Sequence, residues 1–152
     1  MSDQQMTGAP LIVVLASGSI ADGLIAVGTG AGMRVEVVNE AEAVALTASA
    51  SAVVVASHLP DEIPVLTAAL AAGVPYVGLI ANRGRGRDVL AALQVSPELR
   101  ALVHTPAGLD IGSRLPGEIA VAIIAEIISE RPRSAGKTDC VAPDVVRATP
   151  AQ

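Results

Sequence analysis

Aromatic side chains are almost missing from this 152-residue chain, in which Tyr76 stands without a single Phe or Trp. A platform for single-stranded nucleic acid needs rings on which bases can stack, so that class of ligand is not expected. Charge is scarce too, at 16% of residues, and the balance is −5 with ten basic residues. That argues against general binding to nucleic acid or to anionic membranes. Cys140 is the single cysteine, and His58 and His104 are the only histidines. An internal disulfide, a thiolate zinc cluster and a dedicated metal site are therefore not expected. The opening MSDQQMTGAP has no basic n-region. No apolar run reaches the roughly 18 residues of a membrane span, and the expected compartment is the cytoplasm.

What the chain has in quantity is aliphatic carbon: 51% of residues are hydrophobic. A chain of this length forms one domain and buries roughly two-thirds of its unfolded surface, so its core is expected to consist of Ala, Val, Leu and Ile. Leu11 to Leu15, Val35 to Val38, Val53 to Val55, Tyr76 to Ile80 and Val103 to Thr105 read as strands, with the continuous apolar runs of a sheet covered on both faces. Between them, helices are expected over 20–30, 41–48, 61–70 with Asp61 as cap, 88–93 and 97–102. A last helix starts at Pro116, carries a stripe of Ile119, Ile123, Ile124, Ile127 and Ile128, and stops before Pro132. Leu115 stands at its cap position in place of a hydroxyl, a local loss of about 1 kcal/mol.

This alternation predicts an α/β fold, a doubly wound parallel sheet of the Rossmann-like three-layer αβα kind over 11–131. Flexible segments are expected over 1–10 and 132–152. Right-handed crossovers give the strand order 3-2-1-4-5, with a flavodoxin-like order as the alternative.

Ligands of such sheets bind beyond the carboxyl ends of the strands, here at a switch point expected between strands one and four. The first loop there, Ala16 to Ala21, matches the glycine fingerprint only as A-x-G-x-x-A. Gly18 would admit a phosphate to the backbone at a helix N-terminus, and Ser17 and Ser19 add hydroxyls. The plainer reading is a tight turn with close helix–sheet packing. Asn39 stands where an acidic residue usually holds a ribose. The second loop, Asn82 to Arg87, alternates Arg83, Arg85 and Arg87 with Gly84 and Gly86, a pattern suited to an anion or to a solvated basic turn. His58 and His104 close strands three and five, as crevice groups or as structural strand ends. Asp110 either caps its own loop or faces ligand. No catalytic triad or carboxylate pair stands out, so binding is expected rather than chemistry.

The stretches YVGLIANRGRGRDVLAAL, HTPAGLDIG and LPGEIAVAIIAEII resemble the C-terminal Rossmann domain of the xanthine dehydrogenase accessory protein family, the XdhC/CoxI type. Tyr76, Gly78 and Leu79 match its Y-[IV]-G-L-[IL] strand. His104, Pro106, Gly108, Leu109, Asp110, Ile111 and Gly112 match its H-x-P-x-G-L-D-I-G motif, and Glu118, Ile119, Ala120, Ile124, Glu126 and Ile127 suit its helix. Ala52 to His58 is similar to its third strand. The chain departs from the family's G-A-G-H-[IV]-A loop at Ala16 and Ser19, and Asn39 replaces its usual Asp. Strand one begins at residue 11, so the family's N-terminal domain and its cysteine-bearing motif are expected to be absent.

The resemblance implies an accessory role in maturing a molybdenum hydroxylase. It also implies binding of the molybdenum cofactor, its cytidine dinucleotide form, or NAD(P). The expected partners are a subunit of that hydroxylase or a separate cysteine-bearing accessory protein. Two other readings stand beside it: an NAD(P)-dependent oxidoreductase, supported by fold analogy alone, and a degenerate scaffold forming a homodimer through Ile119, Ile123 and Ile127. Packing within the chain explains those isoleucines equally well.

Overall fold

A computed structural model describes residues 8–56 and 61–131. The expectations placed on 1–7, on Ser57 and His58, and on 132–152 with Cys140 lie outside the described residues. Strand β1 (Leu11–Leu15) is buried along its whole length, as a five-residue apolar run requires. It is followed by α1 (Gly18–Gly30), β2 (Arg34–Val37), α2 (Glu40–Leu46) with a 3-10 turn at Thr47–Ser49, and β3 (Ala52–Val55). Then come α3 (Glu62–Ala71), β4 (Tyr76–Leu79), α4 (Arg83–Ala92), the single turn α5 (Pro97–Arg100), β5 (Val103–His104) and α6 (Pro116–Glu130).

The five strands form one parallel sheet in the order β2-β1-β3-β4-β5. This is the flavodoxin-like alternative, not the order 3-2-1-4-5. The reason lies in which helix covers which face. Alternate residues Ile12, Val14, Ala52, Val54 and Tyr76 point to a layer made by α1 and α6, through Leu24, Ala120, Ile123, Ile124 and Ile127. Their neighbours Val13, Val53, Val55, Val77 and Leu79 point to α2, α3 and α4, through Ala43, Leu66, Ala69 and Val89. Because α6 lies beside α1, helix α2 crosses on the opposite face. A right-handed crossover there carries the chain back past β1, so β3 pairs with β1. The strand order therefore reverses between β1 and β3.

Two local expectations change. Arg83 to Arg87 belong to helix α4 rather than to a loop. The last helix buries Ile123, Ile124 and Ile127, while Ile128 is exposed on the outward flank two turns after Val121. Ile123 and Ile127 are thus core residues and offer no surface for a homodimer.

Candidate functional site

The carboxyl ends of β4 and β5 open into a cleft of about 450 Å³. Asn82 and Arg83 stand on one wall, the segment from Pro106 to Ser113 on the other, and Ile80, Ile119 and Ala122 contribute aliphatic surface. Asp110 is exposed on that second wall and faces the cleft. Arg83 also lines an adjoining depression of about 620 Å³ with Arg87, Leu90, Thr105 and Pro106. A smaller cleft of about 210 Å³ lies among Pro10, Ser51 and Pro75 at the opposite end of the sheet, away from these groups.

Helix α4 starts here although its sequence opposes it. Three arginines crowd a helix N-terminus, where the macrodipole favours anions, and Gly84 and Gly86 each cost about 1 kcal/mol relative to Ala. Three interactions, one local and two from distant parts of the sequence, offset this. The Asn82 carboxamide accepts the Arg85 amide at 2.8 Å, a side-chain cap. Arg85 Nη2 donates to both oxygens of the buried Glu62 carboxylate at 2.6 and 2.7 Å. A Cβ on Gly86 would lie 2.5 Å from Thr105 Oγ1, so glycine lets α4 approach the end of β5. Arg85 is therefore turned towards Glu62, whereas Arg83 is exposed between the cleft and the adjoining depression, and Arg87 is exposed in that depression.

The facing wall is tied to the body of the fold. Ala107 N–H donates to Leu79 O and Leu109 N–H to Ala122 O, at 3.0 and 3.1 Å. Gly108, at φ +105, donates its N–H to Glu126 Oε1 at 3.0 Å, and the Tyr76 hydroxyl donates to the same oxygen at 2.6 Å. Burial, with the Glu126 hydrogen bond and charge, holds the Tyr76 hydroxyl well above its ordinary pKa of 10.0. Gly78 makes room for this ring, because a Cβ there would sit 2.8 Å from Tyr76 Cε1. The ring stacks on His104 at 4.5 Å between centroids, and His104 Nδ1 lies 3.5 Å from Glu126 Oε1. His104 is a strand-end residue in this stack. At the far end of the same wall, Glu118 Oε1 accepts the amides of Arg114 and Leu115 at 2.9 and 3.0 Å, while Leu115 at the cap position offers no side-chain acceptor to the first helical amides.

The remaining expected residues sit elsewhere. Ser17 is the N-cap position of α1 without a side-chain cap bond, and Gly18 adopts φ +67 with open space where a Cβ would be. Ser17, Gly18 and Ser19 are exposed at the end of β1. They do not adjoin α4 as expected, since β3 runs between β1 and β4, a separation of roughly 10 Å across the sheet. Asn39 caps α2 by accepting the Glu42 amide at 2.9 Å. Glu62, Tyr76 and Glu126 were not anticipated as site-shaping residues. Among the described residues no cluster of three metal-ligating side chains occurs, and no helix is long and apolar enough to cross a membrane.

The family model described as the XdhC Rossmann domain matches residues 12–127. The chain belongs to this family. A relative from Bacillus subtilis (strain 168), described as a probable subunit of xanthine dehydrogenase, is 31% identical over 85 residues, which cover 56% of this chain and 24% of the relative. The uncharacterized protein YqeB of Escherichia coli (strain K12) is 33% identical over 66 residues, covering 41% and 12%. This XdhC-type domain thus spans less than a quarter of either curated relative in the matched stretch. A solved structure described as a xanthine dehydrogenase from Bacillus halodurans superposes with a TM-score of 0.67 at 17% identity, over 85% of this chain and 45% of that one. That likeness is one of fold.

Proposed function

We propose that this XdhC-type domain is a cytoplasmic accessory module in the maturation of a molybdenum hydroxylase of the xanthine dehydrogenase or CO dehydrogenase type. It holds a nucleotide or molybdopterin phosphate at the carboxyl edge of its sheet. The observation that carries this reading is the cleft between α4 and the 106–113 segment, where Arg83 and Asn82 oppose Asp110 across aliphatic surface. Its volume lies in the range of small-molecule sites. Arg83 and Arg87 suit a phosphate, and Asp110 suits a ring N–H or a sugar hydroxyl. Ile80, Ile119 and Ala122 cover a heterocycle without stacking rings. The open Gly18 turn, at the start of a 13-residue helix, offers a second position for phosphate in an extended ligand. These residues fit a pterin or nucleotide phosphate. The molybdenum cofactor is cargo here, and the hydroxylase that receives it, or a cysteine-bearing accessory protein, is the partner.

The test is thermal stability of the purified chain titrated with molybdenum cofactor, its cytidine dinucleotide form and NADP(H). A ligand at about 100 times its Kd stabilises by roughly 2.7 kcal/mol. Arg83→Ala is expected to remove the shift while leaving the unliganded melting temperature in place. No shift with any of the three would reject the reading.

A further inference from the structure

We infer that Glu126 is the positioning residue of the cleft: through the Gly108 amide its carboxylate sets where the 106–113 wall stands. This rests on the cleft being the binding site. Strand β5 contributes only two residues to the sheet, so pairing alone does little to hold the segment after it. The wall is held instead by the backbone bonds of Ala107 to Leu79 O on β4 and of Leu109 to Ala122 O on helix α6, and by two glutamate side chains of that helix. Glu126 takes the wall's beginning through Gly108 N–H, and Glu118, eight residues earlier on the same helix, takes its end through Arg114 and Leu115.

The two anchors differ in depth. Glu118 belongs to an exposed helix start, where water can replace it. The Glu126 side chain is only 15% exposed, and its Oε1 meets three groups from three places: Tyr76 on β4, His104 on β5 and Gly108 on the wall. The Tyr76 ring packs over Gly78, which holds the hydroxyl oxygen within 2.6 Å of Glu126 Oε1. One oxygen therefore ties the wall to two strands and a helix. Between the anchors, Leu109, Asp110, Ile111 and Gly112 are exposed, and Asp110 is the wall's charged group toward the cleft. Gly108 lies between the backbone bonds of Ala107 and Leu109, and the Glu126 carboxylate, which does not itself line the cleft, adds the side-chain hold at this end of the wall.

Amide hydrogen exchange on the full chain tests this without any ligand. Glu126→Ala is expected to raise exchange at Gly108 and Leu109 at least tenfold more than at β1 and β3, whose rates report global stability. Glu126→Gln keeps an Oε1 acceptor and should return those amides to within a few-fold of wild type. Tyr76→Phe, which retains the ring and the Gly108 bond, should give a smaller rise confined to the same amides. Calorimetry with NADPH adds a binding readout: affinity falls about tenfold in Glu126→Ala and recovers in Glu126→Gln. Uniform acceleration across core and wall, or a Gln variant no better than Ala, would overturn the positioning role. A wild-type chain that binds no NADPH would remove that ligand from the proposed function, and the exchange pattern alone would then decide the role of Glu126.

Discussion

Tyr76 and Gly78 act as a pair two residues apart on one strand, hence on the same face of the sheet. The ring fills the space that Gly78 leaves, and Gly78→Ala puts a methyl 2.8 Å from its edge. Overpacking of this kind costs about 1–3 kcal/mol. Tyr76 is the chain's single aromatic residue, so its near-ultraviolet circular dichroism reports the displacement directly. Urea unfolding of Gly78→Ala with unchanged stability and an unchanged tyrosine signal would contradict this packing. Glu118 carries a different signature, in pH. Hydrogen bonds from the Leu115 and Arg114 amides lower its carboxyl pKa below the ordinary 4.5. A carboxyl depressed in the folded state stabilises fully above its unfolded pKa, and that contribution is lost as pH falls through the folded value. Melting temperatures measured downward from neutral pH should therefore fall less steeply below about pH 4.5 for Glu118→Gln than for wild type. Parallel curves would mean that the two amide bonds do not depend on the ionised carboxylate.

Helix α4 is the element whose character was least legible. Gly84 and Gly86 and three arginines at a helix start read locally as a loop, because propensity and macrodipole both oppose the helix. The interactions that override them come from distant parts of the sequence: Glu62 reaches Arg85 from 23 residues away, and Thr105 accepts the close approach of Gly86. Such conflict between local preference and adopted structure is typical of functional edges. The legible elements were those with a periodic signal of their own, namely the β1 run, the isoleucine stripe of α6 and the Pro116 start. Asn82 and Arg83 were legible as site candidates because they lie just beyond a strand, and Asp110 because it stands in the loop that follows one. Glu126 was not, since a glutamate in a helix says nothing about a tyrosine 50 residues earlier. The three arginines now separate by role. Arg85→Ala leaves a carboxylate that is 8% exposed without its bidentate partner, which is expected to cost about 2–3 kcal/mol, below the fully buried case because Arg85 is 25% exposed. Arg83→Ala and Arg87→Ala should change stability by less than about 0.5 kcal/mol. Equal losses in chemical denaturation for all three would contradict the division.

At the scale of the whole molecule, alternation of strands and helices settled the layers but not the strand order. A helix pattern shows how wide an apolar face is, not which side of the sheet receives it. The order changes what the carboxyl edge can do. The Gly18 turn stands at the β1–β3 reversal and the arginines stand beyond β4, so a ligand touching both must extend across β3. The sheet also divides an almost ring-free interior into two aliphatic layers, with Ile123 in one and Leu66 in the other, both fully buried. Ile→Val in such a site costs about 0.5–1.5 kcal/mol and Leu→Ala about 2–5 kcal/mol. The five-stranded sheet stands between the two positions, so they share no cavity, and the costs should add to within about 0.5 kcal/mol in Ile123→Val/Leu66→Ala. Coupling beyond that, measured in a double-mutant cycle by urea unfolding, would mean that the sheet transmits strain from one layer to the other. A perturbation at α3 would then reach the cleft wall through α6. Simple additivity instead leaves the wall governed from its own side, by α6 and the glutamates it carries.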